Sequence, residues 1–170
     1  YPMKKLLALT AISLPALIAG ASQRLVPVST FNTQIIIGVD SAAAPSLVYY
    51  GPAVRGDLRQ AALAALQGER QTAYPVYGNY PEGESALSVT MPDGNMTLDL
   101  IPAGEPKTEC DHNGNSLTTI PLADRHYPVS VTLNYLAYPK EDVIETWADI
   151  TNNGKKPVTM TRFESGTLPF

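Results

Sequence analysis

A single cysteine, a single tryptophan and two histidines in 170 residues remove several chemistries at once. With Cys110 alone, no intrachain disulfide can close and no Cys-based zinc site can be assembled. His112 and His126 lack the i, i+4 spacing of a helical zinc pair. There is no G-x-G-x-x-G, no Walker loop and no G-x-S-x-G elbow to present a serine nucleophile. No cofactor is expected. Charge is sparse, at 16% of residues, and leans acidic, with a net value of -4. The missing basic stripe argues against nucleic acid and against anionic lipid as partners.

Long apolar runs are also scarce, and the one present lies at the N-terminus. Lys4 and Lys5 precede the apolar stretch Leu6 to Ile18, and Ala19-Gly20-Ala21 follows as an A-x-A site. That order of charge, apolar run and small residues is a secretory signal peptide. Tyr1 and Pro2, ahead of the methionine, are read as a reading-frame artefact. An uncleaved anchor is the alternative, but the run is short for a bilayer and Pro15 interrupts it. The sequence thus divides into a leader, 1–21, and a domain, 22–170. The product is expected to be exported, to the periplasm or outside the cell, with no membrane attachment once the leader is cut. Loss of Lys4 and Lys5 leaves 10 basic against 16 acidic residues, a net charge of -6.

What is plentiful is turn chemistry and short β-branched segments. Fifteen prolines and 12 glycines punctuate the chain, and 44% of it is hydrophobic, enough for one core. Strands are expected at 31–39, 47–50, 86–91, 96–101, 129–138, 143–151 and 158–163. The segment 129–138 is the clearest, with Val129, Val131, Leu133, Tyr135 and Ala137 alternating against polar residues. Two hairpins are expected: one around Pro92-Asp93-Gly94-Asn95, and one of type I′ at Asn153-Gly154. Asp57 to Gln67, Ala- and Leu-rich with Gly68 beyond it, reads as the one short helix. The expected class is all-β, an antiparallel β-sandwich. The apolar ending Leu168-Pro169-Phe170 suggests that the sandwich is incomplete.

Motifs with chemical content are few. Asp111-His112-Asn113-Gly114-Asn115 imitates the start of an EF-hand, but Ser116 stands where Gly is needed and Leu122 where Glu is needed. A solvated loop is the better reading. Asn95-Met96-Thr97 is a formal glycosylation sequon. Tyr74, Tyr77 and Tyr80 could stack on a sugar or pack a loop, and composition favours packing.

Several pieces together resemble a known family. Tyr74-Pro75-Val76-Tyr77-Gly78, then Glu84-Ser85-Ala86-Leu87, then Asp93-Gly94, resembles the N-terminal domain of the family 36 glycoside hydrolases, the α-galactosidases. Glu145 to Gly154, with its I-x-N-x-G ending, and Pro157-Val158-Thr159-Met160 continue the likeness, as does Tyr49-Tyr50-Gly51. The resemblance runs from about Phe31 to Phe170.

That resemblance implies a β-supersandwich, followed in the family by a (β/α)₈ barrel whose two Asp residues are nucleophile and acid/base. No segment here corresponds to the barrel, so no catalytic residue is assigned. Implied partners are an α-galactoside oligosaccharide, bound through the parent enzyme, the chain's own catalytic barrel, and further copies in a homo-oligomer. Many members carry D-F/Y-R in the loop after Y-G; this sequence has Asn79-Tyr80-Pro81-Glu82-Gly83. Tyr80 and Glu82 are the candidate substrate-contacting residues. The competing reading is a free-standing carbohydrate-binding or scaffold sandwich.

Overall fold

The computed structural model describes residues 23–57, 71–78 and 84–166. The leader, most of the expected helix (58–67) and the loop bearing Tyr80 and Glu82 lie outside these residues. Eleven strands run in order: β1 (Arg24–Ser29), β2 (Thr33–Asp40), β3 (Ala43–Pro52), β4 (Gln71–Thr72), β5 (Leu87–Thr90), β6 (Leu100–Pro102), β7 (Lys107–Cys110), β8 (Ser116–Asp124), β9 (Val129–Tyr138), β10 (Val143–Asn152) and β11 (Thr159–Phe163). No helix occurs among the described residues. The fold is the expected antiparallel sandwich. One sheet has the order β1-β2-β3-β4; the second has β10-β9-β8-β6, with β7 also on β8; β11 and β5 form a separate pair.

One core joins the layers. Val26, Val28, Ile35, Ile37 and Val39 of the first sheet meet Ile120, Leu122, Val129, Val131, Leu133, Tyr135 and Ala137 of the second, with Leu87 and Val89 of β5 alongside. Period-2 alternation explains the selection: on β9 every odd residue from Val129 to Ala137 is buried. Asn134 is buried on the even side, where its amide donates to Thr132 O (3.1 Å) and Asp149 Oδ2 (2.8 Å). The run Ile35-Ile36-Ile37 is buried throughout because β2 is covered on both faces. Ile36 packs with Val48, Leu25 and Tyr49 away from the main core.

Of the five prolines within strands, Pro27 and Pro121 sit where a missing N–H costs little. Pro27 lies in β1, an edge strand. Pro121 lies in β8, whose outer neighbour changes there from β7, ending at Thr119, to β6, starting at Leu122. The Pro121 carbonyl accepts from Ala103 N (2.9 Å), so its nitrogen faces that same interrupted side.

Both hairpin expectations need correction. Asn153-Gly154 does not join paired strands: β10 pairs with β9, and β11 pairs with β5 in another sheet. Gly154 does not have the positive φ of a type I′ turn. Instead Asn153 N donates to Pro128 O (2.7 Å) and its side chain to Ser130 Oγ (3.0 Å), which ties the segment to the start of β9. At Pro92-Asp93-Gly94-Asn95 the turn forms, with Met91 N donating to Asn95 O and Gly94 at φ +88°, but its arms separate to different sheets. The same turn recurs at Asp111–Asn115, with Gly114 at φ +87°, and there it does close a hairpin, β7–β8. It matches a type I turn whose last residue is left-handed and forms a bulge.

Candidate functional site

Tyr80 and Glu82 lie between Gly78 and Glu84, and the described residues on both sides of them are held in detail. On the leading side Tyr74 is 2% exposed and its hydroxyl donates to Glu164 O (3.1 Å). Burial, then the Glu164 charge, pushes its phenol pKa up. Val76 is fully buried and bridges Leu87 in parallel, while Ala86 N donates to Pro75 O (2.8 Å). The Tyr77 carbonyl accepts from Leu98 N (2.8 Å) and its side chain stays 54% exposed. Gly78 sits at φ +118°, and a Cβ there would lie 2.5 Å from Thr97 Cγ2, so only glycine fits.

The trailing foot is electrostatic. Arg162 Nη2 reaches Glu84 Oε2 and Glu164 Oε1, both at 2.5 Å, and its Nε reaches Glu164 Oε1 at 2.9 Å. Arg162 and Glu164 are two apart along one chain segment, which places them on one side, and Glu164 N also donates to Ala86 O (2.8 Å). The Arg162 hydrogen bond and charge hold the Glu84 carboxyl below its ordinary range, and the two carboxylates push the guanidinium up. The loop's two ends are therefore fixed to the same β5–β11 pair.

The three tyrosines separate. Tyr74 packs in the core, as composition favoured, Tyr77 faces solvent beside the loop, and Tyr80 lies outside the described residues. Sequence reasoning missed Arg162, because its partner Glu164 lies just past the end of β11 and Glu84 is 78 residues away.

A groove of about 400 Å³ lies elsewhere, with Met91 and Val129 beneath and Asp93, Tyr127 and Lys156 on its rim. Asp93 accepts from Asn95 N (3.0 Å) and from the Tyr127 hydroxyl (2.8 Å), and these bonds lower its pKa. Asn95 Nδ2, the atom a sequon would modify, donates to Tyr127 Oη (2.8 Å). In the EF-hand look-alike, Asp111 Oδ1 accepts from the N–H groups of Asn113 (2.8 Å) and Asn115 (2.9 Å), and Oδ2 from Asn115 Nδ2 (2.9 Å). The carboxylate closes the turn. Among the described residues no three His, Cys, Asp or Glu side chains gather as metal ligands.

Comparison with known proteins fits this geometry. Residues 43–170 match the model of the glycosyl hydrolase family 36 N-terminal domain. No sequence among the curated proteins matches. Among solved structures, the α-galactosidase of Lactobacillus brevis superposes with a TM-score of 0.68 at 19% identity, covering 85% of this chain and 23% of that one. A family 36 α-galactosidase of Geobacillus stearothermophilus, solved with 1-deoxygalactonojirimycin, gives 0.70 at 22% identity over 84% and 24%. A form of the same enzyme solved with stachyose gives 0.69 at 24% identity over the same shares. This chain thus spans about a quarter of the length of these enzymes. With an antiparallel sandwich and a family match over three-quarters of its length, the chain belongs to the glycosyl hydrolase family 36 N-terminal domains, those of α-galactosidases.

Proposed function

We propose that this chain is the N-terminal sandwich of an exported α-galactosidase, which hydrolyses terminal α-linked galactose with retention. The family match over 43–170 carries this reading. The solved relatives include structures holding raffinose and stachyose, and oligosaccharides of that class are the proposed substrates. Retention follows from a covalent glycosyl-enzyme formed and hydrolysed between two carboxylates. Those carboxylates belong to a barrel outside this chain, and the sandwich supplies packing against that barrel, contacts between copies, and one wall of the substrate site. Tyr80 and Glu82 are the residues proposed for that wall, since by the family resemblance they stand in its substrate-contacting segment and the described residues on both sides of it are firmly anchored.

The experiment compares the intact protein with this chain alone. The intact protein should cleave an aryl α-galactoside and release the α-anomer first, as followed by proton NMR. The isolated chain should give no turnover above blank. Clear turnover by the chain alone, or β-galactose as first product, would sink the proposal.

A further inference from the structure

Two Asn-Gly pairs are present, Asn113-Gly114 and Asn153-Gly154, and the fold treats them in opposite ways. Asparagine before glycine is open to intramolecular attack, because glycine leaves the following peptide nitrogen unshielded. The reaction needs three freedoms: a side-chain amide that is not held, a glycine nitrogen able to approach it, and backbone room to rotate.

At Asn113 the first is met in full, and the other two meet only the bonds of an exposed turn closed by Asp111. Both residues are exposed in the β7–β8 turn. The Asn113 carboxamide makes no hydrogen bond among the described residues; only its backbone N–H is engaged, to Asp111 Oδ1 (2.8 Å). Gly114 N makes a long bond to Asp111 O, at 3.2 Å, and also faces the Asp111 carboxylate. No atom lies within 4 Å of where a Gly114 Cβ would stand. At Asn153 all three are withheld. Its Nδ2, the leaving amine, is tied to Ser130 Oγ (3.0 Å). Gly154 N donates to Asn152 Oδ1 (2.9 Å). The Gly154 backbone lies under Pro128, whose Cγ would be 2.8 Å from an added Cβ, and Asn153 N is bonded to Pro128 O (2.7 Å).

We infer that Asn113 is a site of spontaneous deamidation in this protein and that Asn153, with the same sequence signal, is protected by its tethers. In the reaction Gly114 N forms a bond to Asn113 Cγ, the Cγ–Nδ2 bond breaks, and ammonia leaves, taking up the proton that Gly114 N loses. Water then opens the succinimide at either carbonyl to give aspartate or isoaspartate, with no change of oxidation state. Aspartate sets a second negative charge beside Asp111. Isoaspartate adds a methylene to the backbone of a turn whose ends are fixed by the Cys110–Ser116 pair. Either product loosens the exposed β7–β8 hairpin, so the site acts as a chemical clock on that edge of the sheet.

The test incubates the intact protein carrying this chain in mildly alkaline heavy-oxygen water and maps the peptides by mass spectrometry. Label should enter the Asn113 peptide at least about tenfold faster than the Asn153 peptide, the factor one unbroken hydrogen bond can impose. In concentrated urea the two rates should converge. The variant Ser130→Ala frees the Asn153 amide, and its Asn153 rate should rise while the Asn113 rate stays put. Equal rates in the folded protein, or an unmoved Asn153 rate in Ser130→Ala, would overturn the inference.

Discussion

Leu87 is the residue on which the loop platform most depends. It is fully buried, it pairs with Phe163 across β5–β11, and it bridges Val76 at the loop's leading foot. Leu87→Ala removes three carbons from the core, a transfer loss of about 2.4 kcal/mol at roughly 0.8 kcal/mol per methylene. Three separately anchored segments surround the void and resist collapse, so a cavity term should bring the total to about 3–4 kcal/mol. Against a typical domain stability of about 5–15 kcal/mol, that is a large fraction. Urea unfolding of the chain should show the midpoint falling while the slope stays constant. Phe163→Ala is the control: its side chain is 49% exposed, and it should cost no more than half as much. A loss below about 1 kcal/mol for Leu87→Ala would show that Leu87 does not hold β5 against the core.

Other consequences follow from single contacts. Asp142, left-handed at φ +57° in the β9–β10 turn, accepts from the Thr30 hydroxyl and from Asn32, and so pins that turn to the β1–β2 turn. Thr30 chiefly, then Asn32, holds its carboxyl below the ordinary range. A depressed folded pKa gives stability that is present above the unfolded value, about 3.9, and lost as pH falls through the folded one. Thermal midpoints of wild type and Asp142→Asn should therefore differ near neutral pH and converge in acid; a gap that widens in acid would refute the pin. Tyr74→Phe loses a bond to Glu164 O and should cost about 0.5–1.5 kcal/mol, whereas Tyr135→Phe, whose buried hydroxyl has no described partner, should be neutral or stabilising by denaturant titration. Gly78→Ala meets both an unfavourable φ and the Thr97 methyl and should cost more than Gly94→Ala, which meets only the φ penalty of about 1–3 kcal/mol. If the intact protein is the proposed α-galactosidase, Tyr80→Ala and Glu82→Gln should raise its KM for a galactoside severalfold; unchanged kinetics in both would remove these residues from the proposed substrate site.

The strands with long alternating patterns were legible because burial on one face imposes period 2: β9 matches its expected bounds, Val129 to Tyr138, and β10 runs one residue longer than expected. Strands β1 and β8 were missed because each carries a proline, tolerated only through an edge or an interrupted neighbour that no local pattern reveals. Turn chemistry misled in both directions. Asn153-Gly154 carries the strongest hairpin signal, yet bonds from Pro128 and Ser130 override it. Asn113-Gly114, read as a failed calcium loop, is the turn of a true hairpin. Arg162 joins Glu84 across 78 residues, a pairing that only the β5–β11 register creates. The family resemblance in Tyr74–Gly78 and Glu84–Leu87 was readable because those residues flank the loop and are constrained by core packing and backbone bonds on both sides.

The central claim, a sandwich that serves a separate catalytic barrel, is tested most directly by reading the encoding DNA beyond the codon for Phe170. The account predicts that the frame continues through further strands into a (β/α)₈ barrel with Asp residues at its strand ends. A genuine stop codon there would contradict it and make the chain a free-standing sandwich whose role is binding or scaffolding.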